Sequence, residues 1–376
     1  MLISSRSGRP DREIEIKGRM KVEDFGRLQH VILNGPKIQL GFNLRRIISW
    51  IWFEIQILRS FSMIRKWRPD VIKVSSLSIL TFISGIILKK LLKIPLVVEV
   101  RDIYPLTLVE VAGFKVWNPA VLLLGIVEKA GYKNADQIVS SLPNLGPHVE
   151  QRLGYAKSVH WLPMGYDPDF YREIEDQNTE PNLADQQITQ TKSDFSVGYC
   201  GTVGLANALQ ASLLGFDLAS DELPNAHLWI IGGGNLLDKY KEKFAHNRNI
   251  HFLGHQPKKN ISKLISHFDV VINPWLDRPI YKYGVSPNKW IDYMQAAKPI
   301  LAPYGGFKFL IDEQDAGWFI QPESAEAFRD EIIKLAGLPR TDLVQKGLNG
   351  KKLLENNLSY ANLANNLHGI LCKSMR

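Results

Sequence analysis

Cysteine is almost missing from this chain. Two residues in 376, Cys200 and Cys372, cannot build a disulfide framework, and such scarcity points to a reducing compartment. The nine histidines form no Cys/His cluster with zinc spacing. Residues 1–10 hold no apolar run of signal-peptide length. Uninterrupted apolar runs of about 20 residues, the span of a bilayer, are also lacking. The two stretches that approach one are interrupted: 42–61 by the charges of Arg45, Arg46, Glu54 and Arg59, and 77–98 by those of Lys89, Lys90 and Lys93 and by Pro95. With 45% hydrophobic and 22% charged residues, disorder and fibrous repeats are excluded as well.

What is present is an uneven charge. Residues 1–170 carry 24 Lys+Arg against 15 Asp+Glu, while 171–376 carry 22 against 23, so the excess of +8 lies in the first half. A basic half attracts nucleic acid, anionic lipid or a phosphorylated substrate. The aromatics of that half lie in apolar stretches and no RNA-binding signature occurs, which argues against nucleic acid. The 42–61 stretch reads either as a helix simply packed on a sheet or as one that also rests its Arg/Trp face on a membrane surface.

Short apolar strands alternate with helical patterns along the chain. Strands are expected at 30–33, 70–74, 96–100, 137–139, 195–200, 227–231, 250–253, 269–273 and 299–302, with a buried helix before 96–100. This alternation predicts α/β architecture with parallel sheets covered by helices, in two Rossmann-like domains facing each other. The polar segment 172–194 reads as a linker. The expected organisation is therefore a domain over 1–171, a linker over 172–194, a second domain over 195–350 and a closing helix over 351–376 that packs back on the first domain.

Three strand ends open into glycine loops. The first carries Gly201, Thr202, Val203 and Gly204, with a helix expected to start near 205–208; its spacing is neither a dinucleotide fingerprint nor a Walker loop. The second carries Gly232, Gly233 and Gly234, and the third Gly254 and His255. In an open α/β sheet ligands sit beyond the carboxyl ends of the strands. A fourth signal is Ser286-Pro287-Asn288-Lys289-Trp290-Ile291-Asp292. Ser286 is expected as N-cap and Pro287 as first residue of a helix running to about 297. Its amino end suits an anion, Lys289 adds charge, and Asp292 can accept hydrogen bonds from ribose hydroxyls. His251 and His255 are four apart but straddle a strand end, a poor metal pair.

Together these segments resemble the nucleotide-sugar half of GT-B glycosyltransferases of family 4. The first half adds VVEVRDIYPLTLVE at 97–110 and LPMGY at 162–166, which look like the fucosamine-type, amino-sugar-transferring members of bacterial surface polysaccharide pathways such as O-antigen or capsule. The resemblance implies two domains across a cleft and a retaining transfer from a nucleotide sugar, UDP-linked and without a metal requirement. Its donor residues would be Gly201, Thr202, Val203, Gly204, Asn207, Gly233, Gly234, His255, Ser286, Pro287, Asn288, Lys289 and Asp292. Asp292 stands at the second acid of the family's E-x7-E motif; the first would fall at Gly284. The family's basic pair is matched only by Lys289, because Asn207 stands where a lysine is common. Its acceptor-side His-Asp pair appears as Arg101-Asp102, leaving Asp102 to orient or deprotonate the acceptor hydroxyl. The acceptor implied is a polyprenyl-diphosphate-linked saccharide, met by a peripheral protein at the cytoplasmic face of an anionic membrane. The resemblance also places Leu2–Ser5 at the family's second strand, so that about 40 residues, one strand–helix unit, are expected to be lacking in front of it.

Other readings remain beside this one. Asp167-Pro168-Asp169 has the Asp-x-Asp form of metal-dependent GT-A transferases. A sugar-nucleotide epimerase would share the donor site, and a non-catalytic, partner-dependent GT-B-like subunit would tolerate the missing histidine.

Overall fold

The computed structural model describes residues 1–6, 16–36, 44–76, 78–177, 182–191 and 194–375. The chain divides into two compact units. Unit 1 comprises 1–140, 149–160 and 369–376, and unit 2 comprises 141–148 and 161–368.

Unit 1 begins with β1 (Leu2–Ser5), β2 (Met20–Asp24) and β3 (Gln29–Leu33), followed by α1 (Leu44–Arg59) and α2 (Phe61–Trp67). Then come β4 (Ile72–Ser75), α3 (Thr81–Leu92), β5 (Leu96–Val100), α4 (Leu106–Glu110), α5 (Pro119–Asn134), β6 (Gln137–Ser140), α6 (Gly146–Leu153) and β7 (Val159–Trp161), the last two crossing the boundary between units. β5 and β6 have apolar centres buried on both faces, as strands of a covered parallel sheet do. α5 starts where it does because Asn118 accepts the Ala120 N–H at 2.9 Å and Pro119 takes the first helical position.

The strands form two sheets, ordered β1-β3-β2 and β4-β5-β6-β7. β1 pairs with β3 in parallel and with nothing else among the described residues, so Leu2–Ser5 lies at an edge and not in the middle of a continuous sheet. Val31 and Leu33 of β3, Ile57 of α1, Ile64 of α2 and Leu88 of α3 share one core with Ile3 of β1 and Ile72 of β4.

Unit 2 contains α7 (Pro168–Gln177), α8 (Leu183–Gln190), β8 (Phe195–Cys200), α9 (Leu209–Ala219), β9 (Ala226–Ile231), α10 (Leu237–Lys243), β10 (Ile250–Gly254), α11 (Lys258–Ser266), β11 (Val270–Ile272), α12 (Asn288–Gln295), β12 (Ile300–Pro303), β13 (Gly317–Ile320), α13 (Ala325–Ala336) and α14 (Arg340–Asn357). The last helix, α15 (Tyr360–Ser374), ends in unit 1, to which 369–376 belong. The six strands form one wholly parallel sheet, β10-β9-β8-β11-β12-β13. β8 is central and buried along its whole length, and the strand order reverses around it. Ligands in open α/β sheets bind outside the strand ends at such a switch point.

The expected linker at 172–194 folds otherwise. α7 and α8 occupy much of it, and Tyr171, Ala184 and Ile188 join the core that also holds Trp290 and Met294. Buried Asp185 at the start of α8 accepts from His267 at 2.6 Å and pairs with Lys263 at 3.2 Å. A few apolar side chains and one satisfied charge suffice to dock this polar segment. Residues 178–181 and 192–193 of it lie outside the described residues, as do 42–43 of the 42–61 stretch.

Candidate functional site

The candidate donor site is built at the carboxyl end of the unit 2 sheet. The glycine loops after β8 and β9 lie against each other backbone to backbone. Val203 N–H donates to the Gly233 carbonyl and Gly201 N–H to that of Ile231, both at 2.8 Å. Gly232 and Gly234 have φ of +142° and +156°, and a Cβ on either would stand about 2 Å from a loop carbonyl, at 1.8 Å from Gly201 and 2.1 Å from Val203. The contact also limits what the first loop offers. Two of its four amides are committed, and those of Thr202 and Gly204 have no backbone partner among the described residues. The helix expected to start near 205–208 opens with a 3-10 turn, Leu205–Asn207, and α9 follows from Leu209.

α12 approaches this loop with its amino end. Tyr293, fully buried, holds it there: its hydroxyl accepts the Cys200 N–H at 3.0 Å and donates to the Ile272 carbonyl at 3.2 Å, tying the helix to β8 and β11. The helix starts one residue later than expected. Pro287, not Ser286, is the capping residue and supplies no side-chain bond, while the Ser286 hydroxyl accepts the Met164 N–H at 3.4 Å. It ends at Gln295, and Asn288 is exposed in its first turn.

Lys289 projects from α12 onto the first loop. Its Nζ donates to Asn207 Oδ1 at 2.5 Å and stands 4.9 Å from the centre of the Tyr199 ring. Among the described residues no carboxylate pairs with it. Burial pushes its pKa down to about 8, with only a small opposing effect from Cys200. A desolvated ammonium whose contacts are a neutral amide oxygen and an aromatic face is under-compensated, and an anion is what its surroundings lack.

Asp292, one turn further on, accepts a hydrogen bond from the Tyr171 hydroxyl at 2.6 Å and an ion-paired one from Lys258. Its carboxylate lies mostly within the protein, and Lys258 at the start of α11 is exposed. Neither partner was among the residues expected. Burial, then the neighbouring Asp292 charge, drives the Tyr171 hydroxyl to a much higher pKa, so it stays a donor to that carboxylate. His255 is exposed, with its Cβ near Gly233. His251 points elsewhere: it bonds His227 at 2.9 Å and stacks on Trp229, and burial lowers its pKa to about 4.

Gly284, where the resemblance puts a first acid, has φ of +89°, and a Cβ there would lie 2.4 Å from the Pro143 ring. The backbone and the proline leave no room for a carboxylate side chain. Asp167 of the Asp-x-Asp sequence caps α7 by accepting the Asp169 N–H at 3.1 Å, and Asp169 pairs with Arg172. Among the described residues no group of three His, Cys, Asp or Glu side chains is placed to hold a metal ion.

Arg101 and Asp102 follow β5 in unit 1. The Ser76 hydroxyl accepts the N–H of both, at 2.8 and 3.3 Å, and sets the turn that presents them. Asp102 is exposed at the surface, yet partial desolvation raises its pKa, with Arg101 and then Arg46 opposing. The Tyr104 hydroxyl next to it is raised as well, first by burial and then by the Asp102 charge.

Comparison with known proteins gives this arrangement a context. Residues 195–337 match the family described as glycosyl transferases group 1. The sheet, both glycine loops and α12 all lie inside that match, so it spans the whole candidate donor site. Among solved structures the chain is similar to an α,α-trehalose-phosphate synthase (UDP-forming) from Burkholderia vietnamiensis, with a TM-score of 0.71 and 12% identity over 96% of this chain and 87% of that one. It is also similar to sucrose-phosphate synthase from Thermosynechococcus elongatus, at 0.69 and 15% over 98% and 88%. A third is Anabaena HepE in complex with UDP and glucose, at 0.62 and 13% over 91% and 86%. These likenesses establish the GT-B fold. No curated protein sequence matches the chain significantly.

Proposed function

We propose that this chain is a retaining glycosyltransferase that moves a sugar from a nucleotide diphosphate, UDP in the first instance, to a polyprenyl-diphosphate-linked saccharide during surface polysaccharide synthesis, working at the cytoplasmic face of the membrane. The observation that carries the reading is Lys289, a desolvated and uncompensated ammonium between a glycine loop and a helix amino end. In the reaction the bond from the sugar's anomeric carbon to the diphosphate breaks, and a bond to an acceptor hydroxyl forms. The leaving diphosphate gains charge as that bond lengthens. Lys289, the Thr202 and Gly204 amides and the amino end of α12 are the groups that offset it. Asp292 would receive the ribose hydroxyls, with Lys258 and Tyr171 exchanging or sharing its oxygens, and His255 would lie beside Gly233 toward the sugar. Asp102 would take the acceptor's hydroxyl proton, with Arg101 holding its charge.

Two features favour a transferase over a donor-binding subunit: the site keeps its cation and carboxylate, and Asp102 has a raised pKa suited to proton transfer. The reading is tested by incubating the protein with a panel of UDP-sugars, with and without a lipid-linked saccharide. Release of UDP that depends on the acceptor supports it. Epimerised or hydrolysed donor in the absence of acceptor would contradict it.

A further inference from the structure

α1 turns a second apolar side outward. Among its described side chains the buried ones are Ser49, Glu54, Gln56 and Ile57, only one of them apolar. Ile48, Ile51, Trp52, Ile55 and Leu58 are instead between 37% and 49% exposed. Their spacing puts them on one stripe along the helix. A helix in water turns such a stripe inward; an outward stripe marks a surface that something covers. The inward side is not idle, because Ile57 and, from α2, Ile64 sit in a core with β3. Thus α1 is anchored to unit 1 by one face and presents the other. No single helix among the described residues is long and apolar enough to cross a membrane, although α1 and α2, bent by 54°, pass such a test as a pair. Their packing into unit 1 fits a helix lying on a bilayer better than one crossing it.

The same composition recurs two helices away. α3 packs against both α1 and α5, so the three are neighbours in one layer. On α5, Leu122, Leu123 and Ile126 are more than half exposed, and Trp117 precedes the helix with Lys115 over its ring. Charge identifies the occupant. Residues 44–67 hold five basic side chains and one acid, Glu54, which is buried. Along α5 the one acid, Glu128, is buried and paired with Arg152 at 2.6 Å, while Lys129 and Lys133 are exposed. Beside the α1 stripe opens a cavity of about 530 Å³ whose lining includes Arg19, Arg59, Trp52 and Gln56 and, among the described residues, no acid. Apolar stripes edged by basic side chains complement a bilayer bearing anionic headgroups. Two copies of this basic face would repel one another.

We propose that the α1–α3–α5 layer of unit 1 is a lipid-docking surface for an anionic bilayer, in which the α1 stripe enters the acyl boundary and Arg19 and Arg59 receive a lipid phosphate. The idea draws on the proposed function only in that a lipid-linked acceptor is met at a bilayer. The whole chain is tested by sedimentation with vesicles of phosphatidylcholine alone and of phosphatidylcholine mixed with phosphatidylglycerol. Binding to the anionic vesicles at low salt is expected, falling about tenfold or more in Ile51→Glu/Trp52→Glu and falling also with salt, since exposed charges are screened. Thermal melting and UDP affinity of the variant, measured in parallel, are expected to match the parent. Equal binding to neutral and anionic vesicles, or full retention of binding by the variant, overturns the proposal. So does a lipid-free dimer that the double substitution dissociates, which would assign the stripe to a second copy. Failure of UDP to bind the parent, with vesicle binding intact, would instead strike the donor-site reading.

Discussion

Lys289 reaches Asn207 across 82 positions of sequence, its ammonium 2.5 Å from the amide oxygen, and no carboxylate completes the pair among the described residues. A lysine whose pKa is held near 8 in the folded protein binds its proton less tightly there than in the unfolded chain. The folded state is therefore penalised wherever both forms would be protonated, fully below pH 8, and the penalty is relieved as pH rises from about 8 toward the ordinary lysine value of 10.5. Lys289→Met is expected to raise the melting temperature of the ligand-free protein at pH 7 and to change it little near pH 10.5. Melting curves of both proteins at the two pH values check this. Stability surrendered at a binding residue is a common exchange for function.

Asp292 separates ribose recognition from phosphate recognition. Asp292→Ala is expected to lower affinity for a ribonucleoside diphosphate by ~1–3 kcal/mol, the scale of charge-assisted hydrogen bonds, and to abolish any preference over the 2′-deoxy form. Competition between UDP and 2′-deoxy-UDP measures this. A preference that survives in the variant would remove Asp292 from the sugar-ring contact.

Asp102→Asn is expected to cut acceptor-dependent turnover by about 10²–10⁴-fold, the usual contribution of a general base, and to leave UDP affinity unchanged. The raised pKa of its carboxyl adds a pH signature: turnover falls as pH drops through that pKa, because the carboxylate form is the one that accepts a proton. The variant should lose that acidic limb. Rate–pH profiles of the two proteins decide it.

Gly284→Glu, which would recreate the acidic residue of the resembling family, is expected to destabilise by ~1–3 kcal/mol and to give no gain in turnover. The positive φ and the Pro143 ring both oppose a side chain there. Denaturant unfolding and an activity assay together check the outcome.

Much of unit 2 could be read from sequence because its strands are buried on both faces. A run such as Leu228–Ile231 then has no polar interruption to confuse its limits, and the strand at Leu96–Val100 in unit 1 is legible because Glu99 alone interrupts it. Edge elements gave no such signal. β2 carries Lys21, Glu23 and Asp24 within five residues and pairs only with β3. α7 and α8 looked like a polar linker because their docking depends on Tyr171, Ala184 and Ile188 and on one buried carboxylate, Asp185. At the site, Lys289 and Asp292 were legible from the helix signature. Tyr171 and Lys258, their neighbours in space, come from 121 and 34 positions away from Asp292, and no local spacing announces them. Ser286 has the chemistry of a helix cap, but its hydroxyl is used by Met164.

The central claim is that the Lys289 ammonium receives the diphosphate of a nucleotide donor. Isothermal titration of UDP into the parent protein and Lys289→Met at pH 7 tests it most directly. Loss of a charge-assisted contact of ~1–3 kcal/mol predicts weakening of roughly tenfold to a hundredfold in the variant. Equal affinity of the two proteins for UDP would remove Lys289 from the donor site.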